Sequence, residues 1–93
     1  MSSKPILAIL NIFVESKAMD KVVDELVKMP EVLDVYEVTG EFDIVALIST
    51  ESLPSFRNFL KNKVLKIDGV KSTVTSIILS TPKKNGVTML ENE

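Results

Sequence analysis

The chain has 93 residues, 45% of them hydrophobic and 26% charged, which fits one small packed domain and excludes a disordered chain. It holds no cysteine and no histidine, which removes disulfides, thiolate chemistry, the commonest metal ligand and the commonest general base. Eleven Lys and Arg against thirteen Asp and Glu leave a net charge of −2, with no bias toward nucleic acid, and the longest apolar run, Pro5 to Leu10, falls far short of the ~20 residues of a membrane helix.

The start, Met1-Ser2-Ser3-Lys4-Pro5, lacks the cleavage pattern of a secretory signal, so a cytoplasmic location is expected. Ile6 to Val14 (ILAILNIFV) reads as a strand that is mostly apolar on both faces. From Ser16 to Met29 the period changes. Met19, Val22, Val23, Leu26 and Val27 recur at helical spacing among Asp20, Lys21, Asp24, Glu25 and Lys28, with Ser16 as N-cap and Pro30 as terminator. Val32 to Thr39 and Glu41 to Thr50 read as two further strands joined at Gly40. Ser52-Leu53-Pro54 opens a second helix whose apolar face is Phe56, Phe59, Leu60 and Val64, and Asp68-Gly69 stops it. Val70 to Ser80 is the fourth strand. A polar tail follows, interrupted by the apolar island Val87 to Leu90, which is either a frayed end or a short strand for a sheet edge.

The order β-α-β-β-α-β carries a faint repeat at an offset of 38, which lays Ile6–Leu10 over Ile44–Ile48 and Val22 and Leu26 over Leu60 and Val64. Two interleaved β-α-β units give an α+β, ferredoxin-like fold: a four-stranded antiparallel sheet with two helices on one face. Two helices cover only one face, whereas strands one and three are apolar on both. The expected cover for the second face is another copy of the chain, sheet against sheet. The alternative is a pair of ordinary central strands with a few exposed aliphatics.

Catalytic resources are thin. No spacing resembles a metal box or a phosphate loop, and Asp20, Asp24, Glu25, Lys21 and Lys28 read as a solvated helix face. Lys61, Lys63, Lys66 and Lys71 form a basic rim, but 5% aromatic content argues against an RNA-stacking surface. Two segments stand out. In Val38-Thr39-Gly40-Glu41-Phe42-Asp43 an acid opens an apolar strand beside a glycine that admits close backbone approach, so the segment is either a ligand contact or a turn whose Asp satisfies local amides. In Ser72-Thr73-Val74-Thr75-Ser76 hydroxyls crowd one end of a strand, as ligand groups or as plain strand residues. Together they would hold a small zwitterion, Asp43 on the ammonium and amides or hydroxyls on the carboxylate.

Met29-Pro30-Glu31-Val32 leading into Tyr36-Glu37-Val38-Thr39-Gly40-Glu41-Phe42-Asp43, and Asp68-Gly69-Val70 leading into Ser72-Thr73-Val74-Thr75-Ser76-Ile77-Ile78-Leu79, carry a further likeness. From Ile6 to Thr81 the chain resembles the ligand-binding and oligomerisation domain of the Lrp/AsnC, or feast/famine, regulators. That resemblance implies a dimeric α/β barrel built from two ferredoxin-like sheets, ring-like assembly of dimers, and small amino-acid effectors bound where dimers meet. It implies a ligand site at Gly40, Glu41, Phe42 and Asp43 with Thr73, Thr75 and Ser76; Phe42 stands where the family often has tyrosine. Residues 1–93 are then one effector-binding and assembly domain, with 82–93 as an extension bearing a short edge strand. Only Met1 to Pro5 precede the first strand, so the expectation is a stand-alone domain without the family's helix-turn-helix unit, touching no DNA itself and partnering itself or full-length relatives. No catalytic residue, metal or cofactor is expected. The competing class is a small dimeric α/β-barrel enzyme, a monooxygenase or isomerase, but such enzymes set His, Asn, Trp or Tyr against substrate or haem, and here His and Trp are absent and Tyr36 stands alone. A third possibility is a purely structural partner.

Overall fold

A computed structural model describes residues 4–90 of the chain. Strand β1 (Ile6–Val14) coincides with the predicted one, and is followed by a 3-10 turn (Ser16–Ala18) and helix α1 (Met19–Val27). Then come β2 (Val32–Glu37), β3 (Ile44–Thr50), α2 (Leu53–Phe59), a π-helical turn (Leu60–Val64) and β4 (Val70–Ile77). The sheet order is β2-β3-β1-β4, antiparallel throughout, with Ile12 opposite Ile44 and Leu10 opposite both Ala46 and Thr75. This is the ferredoxin-like arrangement the sequence predicts. The faint repeat has a structural meaning: it superposes the two central strands, β1 on β3, which are the two that are apolar on both faces.

Alternation decides which side chains meet the helices. Ala8, Leu10 and Ile12 of β1 and Ile44, Ala46 and Ile48 of β3 are wholly buried against Val22 and Leu26 of α1 and Phe56, Phe59 and Val64 of the second helical segment. The π turn explains the spacing of that last set. Leu65 N–H donates to Leu60 O at 2.9 Å, and the widened turn returns Val64 to the core while Lys61, Asn62 and Lys63 stay outside.

Ser16 does not cap α1. The Glu15 N–H donates to Gly69 O at 2.7 Å, which pins the chain where it leaves β1, and Ala18 N–H closes the 3-10 turn on Glu15 O at 2.9 Å before the helix begins at Met19. The pin requires glycine at position 69. Its φ is +102°, and a β-carbon there would lie 2.3 Å from the Ala18 β-carbon. Ser52 does cap α2, its Oγ accepting from Ser55 N–H at 3.2 Å, with Pro54 in the first turn.

The tail forms its own element. Strands β5 (Lys83–Lys84) and β6 (Val87–Thr88) pair with each other in a separate two-stranded sheet. No helix among the described residues is long and apolar enough to cross a membrane.

Candidate functional site

The chain leaves β2 at Glu37 and enters β3 at Ile44, so the predicted segment Gly40-Glu41-Phe42-Asp43 is a connecting turn rather than the start of a strand. Val38 N–H donates to Asp43 O at 3.0 Å and closes the turn. Gly40 has φ +124°, a conformation costly for any residue with a β-carbon, although a β-carbon there would meet nothing within 4 Å. Backbone conformation, not space, asks for glycine here.

Asp43 does local work. Its N–H donates to Ile12 O at 3.1 Å, and its Oδ2 accepts from Val14 N–H at 2.9 Å. The pairing of β1 with β3 ends at Ile12 opposite Ile44, while on the other side the β1–β4 register shifts between Phe13 and Val14. The Val14 amide therefore points where β3 has already ended, and the carboxylate supplies the acceptor that the strand no longer offers. Next to it Phe42 meets Phe13 with ring centroids 4.7 Å apart and planes tilted by 45°. Glu41 is exposed.

The hydroxyl segment lies across β1 from this turn. Thr73 pairs with Ile12, Thr75 with Leu10 and Ser76 with Ile9. Paired residues share a face, so Thr73 and Thr75 lie on the helix side of the sheet and Ser76 on the uncovered side. With β1 between them, the turn and β4 stand about two strand spacings, ~10 Å, apart, and Ser76 is ~10 Å further along the strand than Thr73. No side-chain hydrogen bond among the described residues joins one predicted site residue to another. The three main cavities are lined elsewhere, at the tail, between α1 and the π turn, and beside α2. One chain thus brings Gly40, Glu41, Phe42 and Asp43 together, sets Thr73 level with them, and leaves Thr75 and Ser76 apart.

Sequence reasoning missed Phe13 as the partner of Phe42 and the Val14 amide as the partner of Asp43. Alternation placed Phe13 on the second face of β1, but only the β1–β3 register brings residues 13 and 42 together. Among the described residues no group of three or more acidic side chains is placed to hold a metal ion.

The uncovered face completes the geometry. Leu7, Ile9, Asn11 and Phe13 of β1 and Val45, Leu47 and Ser49 of β3 line its centre, and none of these lies in the wholly buried set. Asp34 and Tyr36 of β2 and Ser72, Val74 and Ser76 of β4, paired with those strands, form its margins.

A β2-β3-β1-β4 antiparallel sheet with two helices on one face places the chain among ferredoxin-like domains, a fold that hosts many functions. Residues 7–88 match the family model described as the Lrp/AsnC ligand binding domain, and the chain belongs to that family. It is 40% identical over 79 residues to the HTH-type transcriptional regulator FL11 of Pyrococcus furiosus, covering 85% of this chain and 52% of that one. Among solved structures it is similar to AsnC of E. coli, with a TM-score of 0.82, 27% identity, and 86% of this chain and 54% of the other covered. It is also similar to a feast or famine regulatory protein of M. tuberculosis complexed with L-methionine, with a TM-score of 0.75, 25% identity, and 86% and 54% covered. The chain therefore spans about half the length of the relatives it matches.

Proposed function

We propose that this domain binds a small amino acid where copies of the chain meet, and that the ligand biases which assembly forms. The observation that carries this is the split site. The turn at Gly40–Asp43 and the hydroxyls of Thr73, Thr75 and Ser76 make no pocket within one chain, so a ligand that uses them needs groups from a second. Support comes from the relative solved with L-methionine and from the apolar centre of the uncovered face, which water leaves unsatisfied. Two sheets packed face to face, as a dimeric α/β barrel, bury that centre, and rings of such dimers supply the contacts at which the turns lie.

In this reading Asp43 keeps Oδ2 on the Val14 amide and offers Oδ1 to the ligand ammonium. Turn amides near Gly40 and Glu41, with a hydroxyl of β4 from the same or a neighbouring copy, take the carboxylate. Phe42 and Phe13 wall the side chain. No bond is made or broken: the domain is a binding module rather than an enzyme, and the ligand acts through its difference in affinity between assembly states. Regulation of transcription follows through assemblies of the domain with itself or with full-length relatives, which places it in the cytoplasm where the DNA is.

Native mass spectrometry of the purified chain against each standard amino acid tests this. The expected result is a dimer or a multiple of it, with ligand mass carried on the oligomer and not on the monomer. A monomer at every concentration, or the same mass and the same Tm with all amino acids, overturns it.

A further inference from the structure

The tail beyond β4 is the part of the molecule least explained by its own fold. It is a built element: Lys83 pairs with Thr88 and Lys84 with Val87, and Met89 N–H donates to Pro82 O at 2.8 Å. Asn85 at φ 50° and Gly86 at φ 79° supply the two positive angles that a tight two-residue hairpin turn demands. Yet an isolated hairpin this short is marginal in water, and its apolar side chains do not pack on the domain. Leu79 is 95% exposed, Leu90 87% and Val87 61%. The Cα radius of gyration, 14.1 Å, exceeds the roughly 12 Å of a compact chain this long, as an outstretched arm requires.

Three features say what the arm meets. The first is continuity: at its base Leu79, Met89 and Leu90 line a notch of about 310 Å³ together with Leu7, which belongs to the uncovered face, so the arm prolongs that face. The second is charge. The arm carries Lys83 and Lys84, whereas the free edge strand β2 and the turn after it hold Asp34, Glu37 and Glu41 with no Lys or Arg from residue 32 to 41. The other edge, β4, carries Lys71 and no acid. The third is position. Leu7, beside the arm, pairs with Ser49, and β2 begins at Val32 opposite Ile48, so the arm and Leu33–Asp34 lie at the same end of the sheet on opposite edges. Two in-plane two-fold axes pack such sheets face to face: one across the strands sets β4 over β4, and one along the strands keeps the ends in place and exchanges the edges. The charge contrast selects the second, which brings the lysines of the β4 side of one copy over the acidic β2 side of the other.

We infer that the arm clasps a second copy of this chain on the β2 side of the partner's open face, its Lys84 and Val87, which pair across the hairpin and share one side of it, against Asp34 and Tyr36, with Lys83 and Leu90 flanking them. Two-fold symmetry makes the clasp reciprocal, since each copy gives one arm and receives one. The inference rests on the face-to-face dimer proposed above.

Sedimentation of the full chain over a dilution series reads the dimer Kd, with circular dichroism confirming the fold of each variant. Lys83→Glu with Lys84→Glu, and separately Asp34→Lys, are each expected to raise Kd about tenfold, since two pairs are lost per dimer. The chain carrying all three changes is expected to return to within about threefold of the original, a rescue that altered solubility does not produce. Val87→Ser with Leu90→Ser is expected to raise Kd by about tenfold or more. Ile9→Asp, at the centre of the open face, separates the two ideas. If Ile9→Asp dissociates the dimer while every arm variant leaves Kd unchanged, the clasp is wrong and the dimer stands. If the unaltered chain is monomeric throughout, both fall. Failure of the triple variant to regain affinity overturns the pairing of the lysines with Asp34.

Discussion

The two faces of the sheet are built from nearly the same residue types and have opposite fates. On β1, Ala8, Leu10 and Ile12 are wholly buried, while Leu7 and Phe13, one residue away in either direction, are only half-buried and Ile9 is exposed. β3 repeats the contrast between Ile44, Ala46 and Ile48 and their neighbours Val45 and Leu47. What differs is supply. The helices deliver Val22, Leu26, Phe56, Phe59 and Val64 to one face, whereas among the described residues neither helix reaches the other face and the β5–β6 hairpin pairs only with itself. The margins differ as well: the open face is mostly apolar at its centre and carries Asp34, Ser72 and Ser76 among its edge residues, the pattern expected of the interface proposed above. Strand composition states how much cover is needed, and topology decides how much of it one chain provides.

The sharpest way to break this comparison is to truncate one residue on each face. Leu10→Ala leaves a cavity in the helix-side core and is expected to cost about 2–5 kcal/mol, lowering Tm by more than about 10 °C at any protein concentration. Ile9→Ser, its neighbour, is expected to cost under about 1 kcal/mol in dilute solution, where the monomer prevails. On the proposed dimer, the parent chain is expected to gain stability from association at high concentration and the Ile9→Ser variant is not, so their melting curves are expected to separate only there. Thermal melts at two concentrations check both outcomes. An Ile9→Ser penalty that is large and independent of concentration means the open face is already covered within one chain, and the distinction between the faces collapses.

The sequence made one face legible and hid the other's geometry. Period-two alternation in ILAILNIFV and EFDIVALIST and the helical spacing of Val22, Leu26, Phe56 and Phe59 are local signals, and they suffice for the element order and for the demand that both central strands be covered. The turn was legible at Gly40, because a positive φ leaves its mark on residue type, but the strand pattern ran back to Glu41 and residues 41–43 belong to the turn. The role of Asp43 was not legible. Whether an acid at the mouth of a strand meets a ligand or an orphan amide depends on where the neighbouring strand stops, and the β1–β3 pairing that ends at Ile12 is a property of register. Alternation alone already sets Thr75 and Ser76 on opposite sides of the sheet; register adds that Ser76 falls on the uncovered one. Ser16 misled for a similar reason: the Glu15–Gly69 hydrogen bond joins residues far apart in the chain and overrides a local capping preference.

Asp43 offers a smaller and more discriminating test, because it joins the scaffold to the proposed site. Asp43→Ala removes the acceptor of the Val14 amide and is expected to cost about 1–2 kcal/mol of stability. Asp43→Asn keeps an oxygen for that amide and removes the charge, so it is expected to lose less than half as much stability. Yet calorimetry is expected to show both variants losing amino-acid binding, since in Asp43→Asn the one oxygen stays on the Val14 amide and the NH2 left facing the ligand ammonium can only donate. Intact binding in Asp43→Asn assigns Asp43 to the scaffold alone and moves the ammonium contact to another group.

The smallest expected effect lies at the rim of the covered face, where Glu31, just before β2, meets Lys63 on the π turn with Nζ–O distances of 3.0 and 2.8 Å. Partial burial by itself raises the Glu31 carboxyl, but the hydrogen bonds and charge of Lys63, helped by the residue's own backbone, outweigh it and hold the group below its ordinary value of 4.5. A carboxyl depressed in the folded state binds its proton less readily there than in the unfolded chain. The stabilisation is therefore complete above the unfolded value, near 4.5, and drains away as pH falls through the lower folded value. Because the Lys63 side chain is 42% exposed, water screens the pair, and Glu31→Gln is expected to cost under about 1 kcal/mol at pH 7. Melts of parent and variant should then differ by a few degrees at pH 7 and converge as pH falls below the depressed folded value. A gap that persists however far the pH falls shows that Glu31 acts through packing rather than charge, which would make the rim of the covered face an extension of its apolar core.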